Sequence, residues 1–66
     1  MSGLDVYHAV VSDADPEKAL NALTNDEMET LIEWLWLLDN PNNFQAHIYA
    51  MSMVCVLGRW KKLIRS

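Results

Sequence analysis

Sixty-six residues and 7.6 kDa make one small domain, which excludes a large enzyme built round a deep pocket. The chain is 52% hydrophobic with only two glycines, which excludes a disordered polymer, because a chain this apolar buries surface. The net charge of −4 hides a split: all nine acids lie in residues 1–40, opposed there by Lys18 alone, while residues 41–66 hold Arg59, Lys61, Lys62, Arg65 and no acid. The single cysteine, Cys55, makes no internal disulfide. The start lacks the basic-then-apolar order of a signal peptide, and the longest near-apolar run, Ile48 to Leu57, is about half a membrane span. The expected setting is therefore soluble and reducing, the cytoplasm.

In chain order, residues 1–12 read two ways. Ser2 and Asp5 resemble a capping box, and Leu4, Tyr7 and Val11 fall at helical spacing. Val6, His8 and Val10 also alternate as a strand does, but a lone strand has nothing to pair with, so a short helix is expected. Ser12 to Pro16 is a break. Asp15 caps and Pro16 takes the first helical position of a helix over about 16–22, with Ala19, Leu20 and Leu23 as its apolar side. Thr24 and Glu27 then form a capping box at the head of a helix over about 25–38. Its apolar residues, from Met28 to Leu38, spread over roughly 200° of the wheel, about twice what a surface helix of a monomer needs. That helix is expected to bury two faces.

Asp39 to Asn43 is a turn: Asn40 tolerates the left-handed conformation, Pro41 stops the helix, and Asn42 or Asn43 caps the next one. The last helix is expected over about 43–64, apolar nearly all round from Phe44 to Leu57, and so buried, with Gly58 a weak point or a place of close packing. The short turn makes the two long helices antiparallel neighbours. The longer one overshoots its partner near Leu57, so Trp60, Leu63 and Ile64 need cover from the N-terminal segment or from a second subunit. The same geometry brings the basic end near Asp26, Glu27 and Glu29, which suits both helix dipoles.

Few residues suggest chemistry. His47, Met51 and Cys55 stack at i, i+4 and i+8, an order in which soft ligands hold copper(I), but three donors are too few and Met at this spacing is ordinary core filling. Cys55 reads as a buried, inert thiol. No nucleophile–base pair, phosphate loop or paired-cysteine zinc pattern occurs, so the expected protein has no catalytic residue, no metal and no cofactor. Trp34 and Trp36 point to different faces of one helix, and only one of them fits a monomer core. The candidate partner or dimer interface is Trp34, Trp36, Leu37, Tyr49, Met53 and Val56. The alternative is a nucleic-acid or anion contact through Arg59, Trp60, Lys61, Lys62 and Arg65, a cluster that mixes bases with an aromatic ring. A helix–turn–helix over 16–22 and 25–38 is disfavoured, because Asp26, Glu27 and Glu29 at the head of its second helix repel phosphate.

Four features, the start at Met1, the capped Thr24–Glu27 helix, the apolar hairpin Trp34–Leu57 and the basic end Arg59–Arg65, resemble the small, acidic, all-helical accessory proteins encoded in early regions of temperate phages. The resemblance implies a helical oligomer that binds a host or phage protein and uses no cofactor. The whole chain, 1–66, is thus expected to be a single all-α domain: a small helical bundle built on an antiparallel helical hairpin, completed by homodimerisation, and acting on another protein without catalysis.

Overall fold

The computed structural model describes residues 2–65, with Arg65 described by its backbone alone; Met1 and Ser66 lie outside the described part. Those residues form four helices and no strand: α1 (Gly3–Val11), α2 (Pro16–Ala22), α3 (Asn25–Leu37) and α4 (Asn43–Arg65). The N-terminal segment is therefore helix.

Local chemistry fixes each helix start. The Ser2 hydroxyl accepts from the Asp5 N–H at 3.3 Å, and the Asp15 carboxylate accepts from the Lys18 N–H at 3.2 Å with Pro16 at the head of α2. At α3 the box is complete: the Glu27 N–H donates to Thr24 Oγ1 at 3.1 Å, and the Thr24 N–H donates to Glu27 Oε1 at 2.9 Å. A second reciprocal pair opens α4, where the Asn42 N–H donates to Gln45 Oε1 at 2.9 Å and the Gln45 N–H to Asn42 Oδ1 at 2.7 Å. Between α3 and α4, Asn40 takes the left-handed conformation at φ 56°, which its short polar side chain tolerates.

The helices close a ring. α1 packs chiefly on α3, α3 on α4, and α2 touches both α1 and α4. Trp36, near the end of α3, lies 6.1 Å from Tyr49 early in α4 with the rings tilted, while Met28 near the start of α3 shares a cleft with Val56, Arg59 and Trp60. Val6, Val10, Leu20, Met28, Leu31, Leu35 and Ile48 form the buried centre, drawn from all four helices. One hydroxyl lies there too. Ser52 is fully buried and donates to the Ile48 carbonyl at 2.7 Å, so its polar atom is satisfied inside its own helix.

Two expectations need correction. α4 is not buried all round: among the described residues only its Ile48 and Ser52 lie fully inside, and Val54, Leu57, Trp60, Leu63 and Ile64 are exposed, because α3 and α2 pack on one side of it. Gly58 is not a point of close packing, since a Cβ built there meets nothing within 4 Å. Close packing falls instead at Gly3, which is buried. A Cβ there collides with that of Trp34 and comes within 2.6 Å of the indole Cγ and 3.0 Å of the Thr30 carbonyl.

Gly3→Ala should therefore force α1 away from α3 and cost about 1–3 kcal/mol, the usual penalty of overpacking. Urea denaturation checks this; unchanged stability would mean that α1 does not lie so close.

The cap at α3 has a pH signature. The hydrogen bond from the Thr24 backbone N–H, and secondarily the Thr24 side chain, hold the Glu27 carboxyl below its ordinary value of 4.5. A depressed carboxyl contributes stability above its unfolded pKa and loses it as pH falls through the folded one. Glu27→Gln should thus melt lower than the parent at neutral pH, with the gap closing as pH falls below about 4.5. Thermal melts of both chains from pH 7 to 3 give the answer, and a gap independent of pH would count against the ionised cap.

Candidate functional site

The face shared by α3 and α4 carries four of the six interface candidates singled out from sequence. Ile32 and Trp36 from α3 and Tyr49, Met53 and Val56 from α4 line one open, shallow groove, with Glu29 and Glu33 on its α3 side. The spacing explains the convergence. Glu29, Ile32, Glu33 and Trp36 recur at three and four residues along α3, as do Tyr49, Met53 and Val56 along α4, so each set makes one face. The packing of α3 on α4 then brings the faces edge to edge. The groove continues past the end of α3, where Trp36 and Tyr49 meet Leu38, Pro41, Gln45 and Ala46.

The two tryptophans divide as their spacing demands. Trp34 is half-buried and turns to α1, its ring 5.1 Å from that of Tyr7 and tilted by 39° to it, directly over Gly3. Trp36 turns outward and is 73% exposed. Leu37 is 70% exposed but does not line the groove, so of the six interface candidates Trp36, Tyr49, Met53 and Val56 are brought together, and Trp34 and Leu37 stand apart.

At the basic end of α4 the half-buried Arg59 turns its guanidinium to α2. Its Nη2 donates to the carbonyls of Asn21, at 2.6 Å, and Leu20, at 3.2 Å. These are among the last carbonyls of α2, at the negative end of its dipole, so a guanidinium is well matched to them; the Leu20 carbonyl also accepts from the Leu23 N–H at 3.2 Å. Glu27 spends its carboxylate on its own cap. Glu29 does share a cleft with Arg59 and Trp60, and Lys62 lines a neighbouring one with Asn25, so the two charged ends lie side by side as expected even though Arg59 is tied elsewhere. Trp60, Lys61 and Lys62 are exposed, and the side chain of Arg65 lies outside the described residues.

The remaining candidates lie across α4 from the groove. His47, Met51 and Cys55 do share a shallow face, with Glu17, Ala50 and Val54. His47 and Cys55 are separated by about 12 Å of helix rise, too far for one ion to bond both at ordinary ligand lengths near 2 Å. Among the described residues no group of three or more His, Cys, Asp or Glu could hold a metal ion. Cys55 is half-buried rather than buried, and its thiol donates to Asn21 Oδ1 at 3.5 Å. None of the described helices is long and apolar enough to cross a membrane.

Sequence reasoning missed Gln45 and Asn21. Gln45 follows Asn42 by three residues, which is the capping-box spacing with Asn in place of Ser or Thr. Asn21 carried no signal, since its backbone carbonyl is what Arg59 uses. No family model matches the chain, and no curated protein or solved structure matches it.

Replacing Arg59 separates its structural role from a ligand-binding one. Arg59→Ala should destabilise the fold by about 1–2 kcal/mol, the scale of a part-exposed hydrogen bond to a charged donor. Lys61→Glu with Lys62→Glu should shift stability by less than about 1 kcal/mol, as surface charges do. Chemical denaturation of the variants tests the ranking; equal effects would remove Arg59 from its place on α2.

Proposed function

We propose that this chain is a small non-enzymatic protein–protein interaction protein, accessory or regulatory in kind, that works as a homodimer. On this view α3 and α4 form an antiparallel helical hairpin within a small helical bundle, and self-association completes the bundle. The observation that carries the proposal is the open apolar groove of Trp36, Tyr49, Met53 and Val56. An exposed tryptophan beside a tyrosine, in a chain that also leaves Leu37, Val54, Leu57, Trp60, Leu63 and Ile64 in solvent, is far more apolar surface than an isolated small domain normally keeps. A twofold dimer hides such surface against itself. The resemblance to temperate-phage accessory proteins points the same way, towards an oligomer that binds a further protein.

The nucleic-acid alternative draws on the exposed Trp60, Lys61 and Lys62. It is weakened by Arg59, whose guanidinium is occupied by two α2 carbonyls, and by the acids of α3 on the adjoining surface. Phosphate contacts make affinity fall steeply with salt, so titration of a labelled oligonucleotide at two salt concentrations separates the two functions.

Sedimentation equilibrium at micromolar concentration should give twice the chain mass of 7.6 kDa. Trp36→Ala should weaken the association by about tenfold, the scale of losing one aromatic anchor, without loss of helix. A single-chain mass at every concentration would overturn the proposal.

A further inference from the structure

Along the outer side of α4 runs an apolar line that borders the groove and shares Met53 with it and Ala46 with its continuation: Ala46, Ala50, Met53, Leu57, Trp60 and Ile64. The steps between them alternate four and three, so the six side chains form one continuous seam down the helix. Ala46, Ala50, Leu57 (48%), Trp60 (60%) and Ile64 (65%) are exposed, and Met53 is half-buried. The seam runs over nearly the whole of α4; Ala46, Met53 and Trp60 reach the edge of α3, and the three other helices leave all of it but Met53 exposed. Its residues are also graded in size: alanines at the start, Met53 and Leu57 in the middle, Trp60 and Ile64 at the end.

From this we infer that the partner on this seam is α4 of a second copy, running antiparallel; the inference rests on the homodimer proposed above and gives its geometry. Antiparallel pairing sets Ala46 opposite Ile64, Ala50 opposite Trp60, and Met53 opposite Leu57, each pair occurring twice about the twofold axis. The two outer layers then each join a small and a large side chain, and the central one joins two of middle size, the complementarity by which facing surfaces interdigitate. Parallel pairing fails on the same residues. It leaves alanine facing alanine, presses Trp60 on Trp60, and gathers the bases of both copies at one end.

Charge agrees with the antiparallel sense. Glu17 lies beside His47, Ala50 and Val54 on one flank of the seam's first half, and Glu33 beside Trp36, Tyr49 and Met53 on the other. Lys61 flanks the seam's last half and, in the antiparallel layers, falls opposite the partner copy's His47, on the Glu17 side. The basic ends of the two copies stand apart by most of the length of α4, well beyond the ~8–10 Å over which salt leaves charges coupled. The acidic and basic halves of the sequence are thus complementary between copies as well as within one.

The test exchanges the sizes within one layer. Ala50→Trp alone and Trp60→Ala alone should each weaken the dimer by about tenfold or more in sedimentation equilibrium, one by a clash of indoles and the other by a gap. The double variant A50W/W60A restores one alanine and one tryptophan to each layer and should return to within about threefold of the parent. Circular dichroism on each variant reports whether the helices persist. Cross-linking in a Cys55→Ser background decides orientation independently. A mixture of Met53→Cys chains with Leu57→Cys chains should form a mixed disulfide, because only opposed residues bring Cα atoms within about 7 Å. Met53→Cys chains cross-linking to themselves, or a double variant no better than the worse single one, would overturn the antiparallel seam while leaving the homodimer standing. A monomeric parent chain would overturn both.

Discussion

Where Gly3 meets Trp34, no side chain separates the backbone of α1 from α3, and the position of every other helix follows from that closeness. α3 carries apolar residues over more of its circumference than one neighbour covers. α4 takes one side of it; α1 has to take another, and a nine-residue helix does so only by lying almost against the α3 backbone. With α1 in place, Val6 and Val10 reach Leu31, Met28 and Leu35 to make a single buried centre. Tyr7 then lies on the indole of Trp34, which fixes that side chain inward and leaves Trp36 outward on the same helix. The two-residue spacing sets the tryptophans on different faces of α3, and the glycine lets α1 close over the inner one.

Helix boundaries were legible in the sequence because their causes are local. Thr24 and Glu27, Asp15 and Pro16, and Ser2 and Asp5 act within a turn of chain, and a capping side chain has few other things to do. The start of α4 shows the limit of that legibility: the Asn42–Gln45 pair has the same geometry, yet the Asn-rich turn offered several caps of equal merit. Long-range placements were less legible. The acceptors of Arg59 are backbone carbonyls, which every residue possesses, so no pattern of side chains marks α2 as its target.

The candidate surface was legible in part for the same reason. Periodicity places Tyr49, Met53 and Val56 on one face of α4 and Trp36 on a face of α3, and the packing of α3 on α4 brings those faces together. Periodicity does not say how many neighbours α4 has. An apolar circumference looks the same in a sequence whether other helices of the chain or a second molecule encloses it, and here Ile48 and Ser52 mark the narrow strip that the chain itself covers. Leu37 lies one step beyond Trp36, and one step along a helix turns a side chain by about 100°, out of the groove.

The hold of Arg59 on α2 also bears on how the molecule opens. α2 is seven residues long, too short to persist as an isolated helix, and Leu20 is its only fully buried side chain. Its attachment to the rest depends on Leu20, on Ala19 at the edge of the core, on the Cys55–Asn21 contact and on a guanidinium that grips two carbonyls. Opening of α2 alone would release Arg59 and bare the flank of α4 that carries Met51 and Cys55, while the contacts between α3 and α4 stay in place.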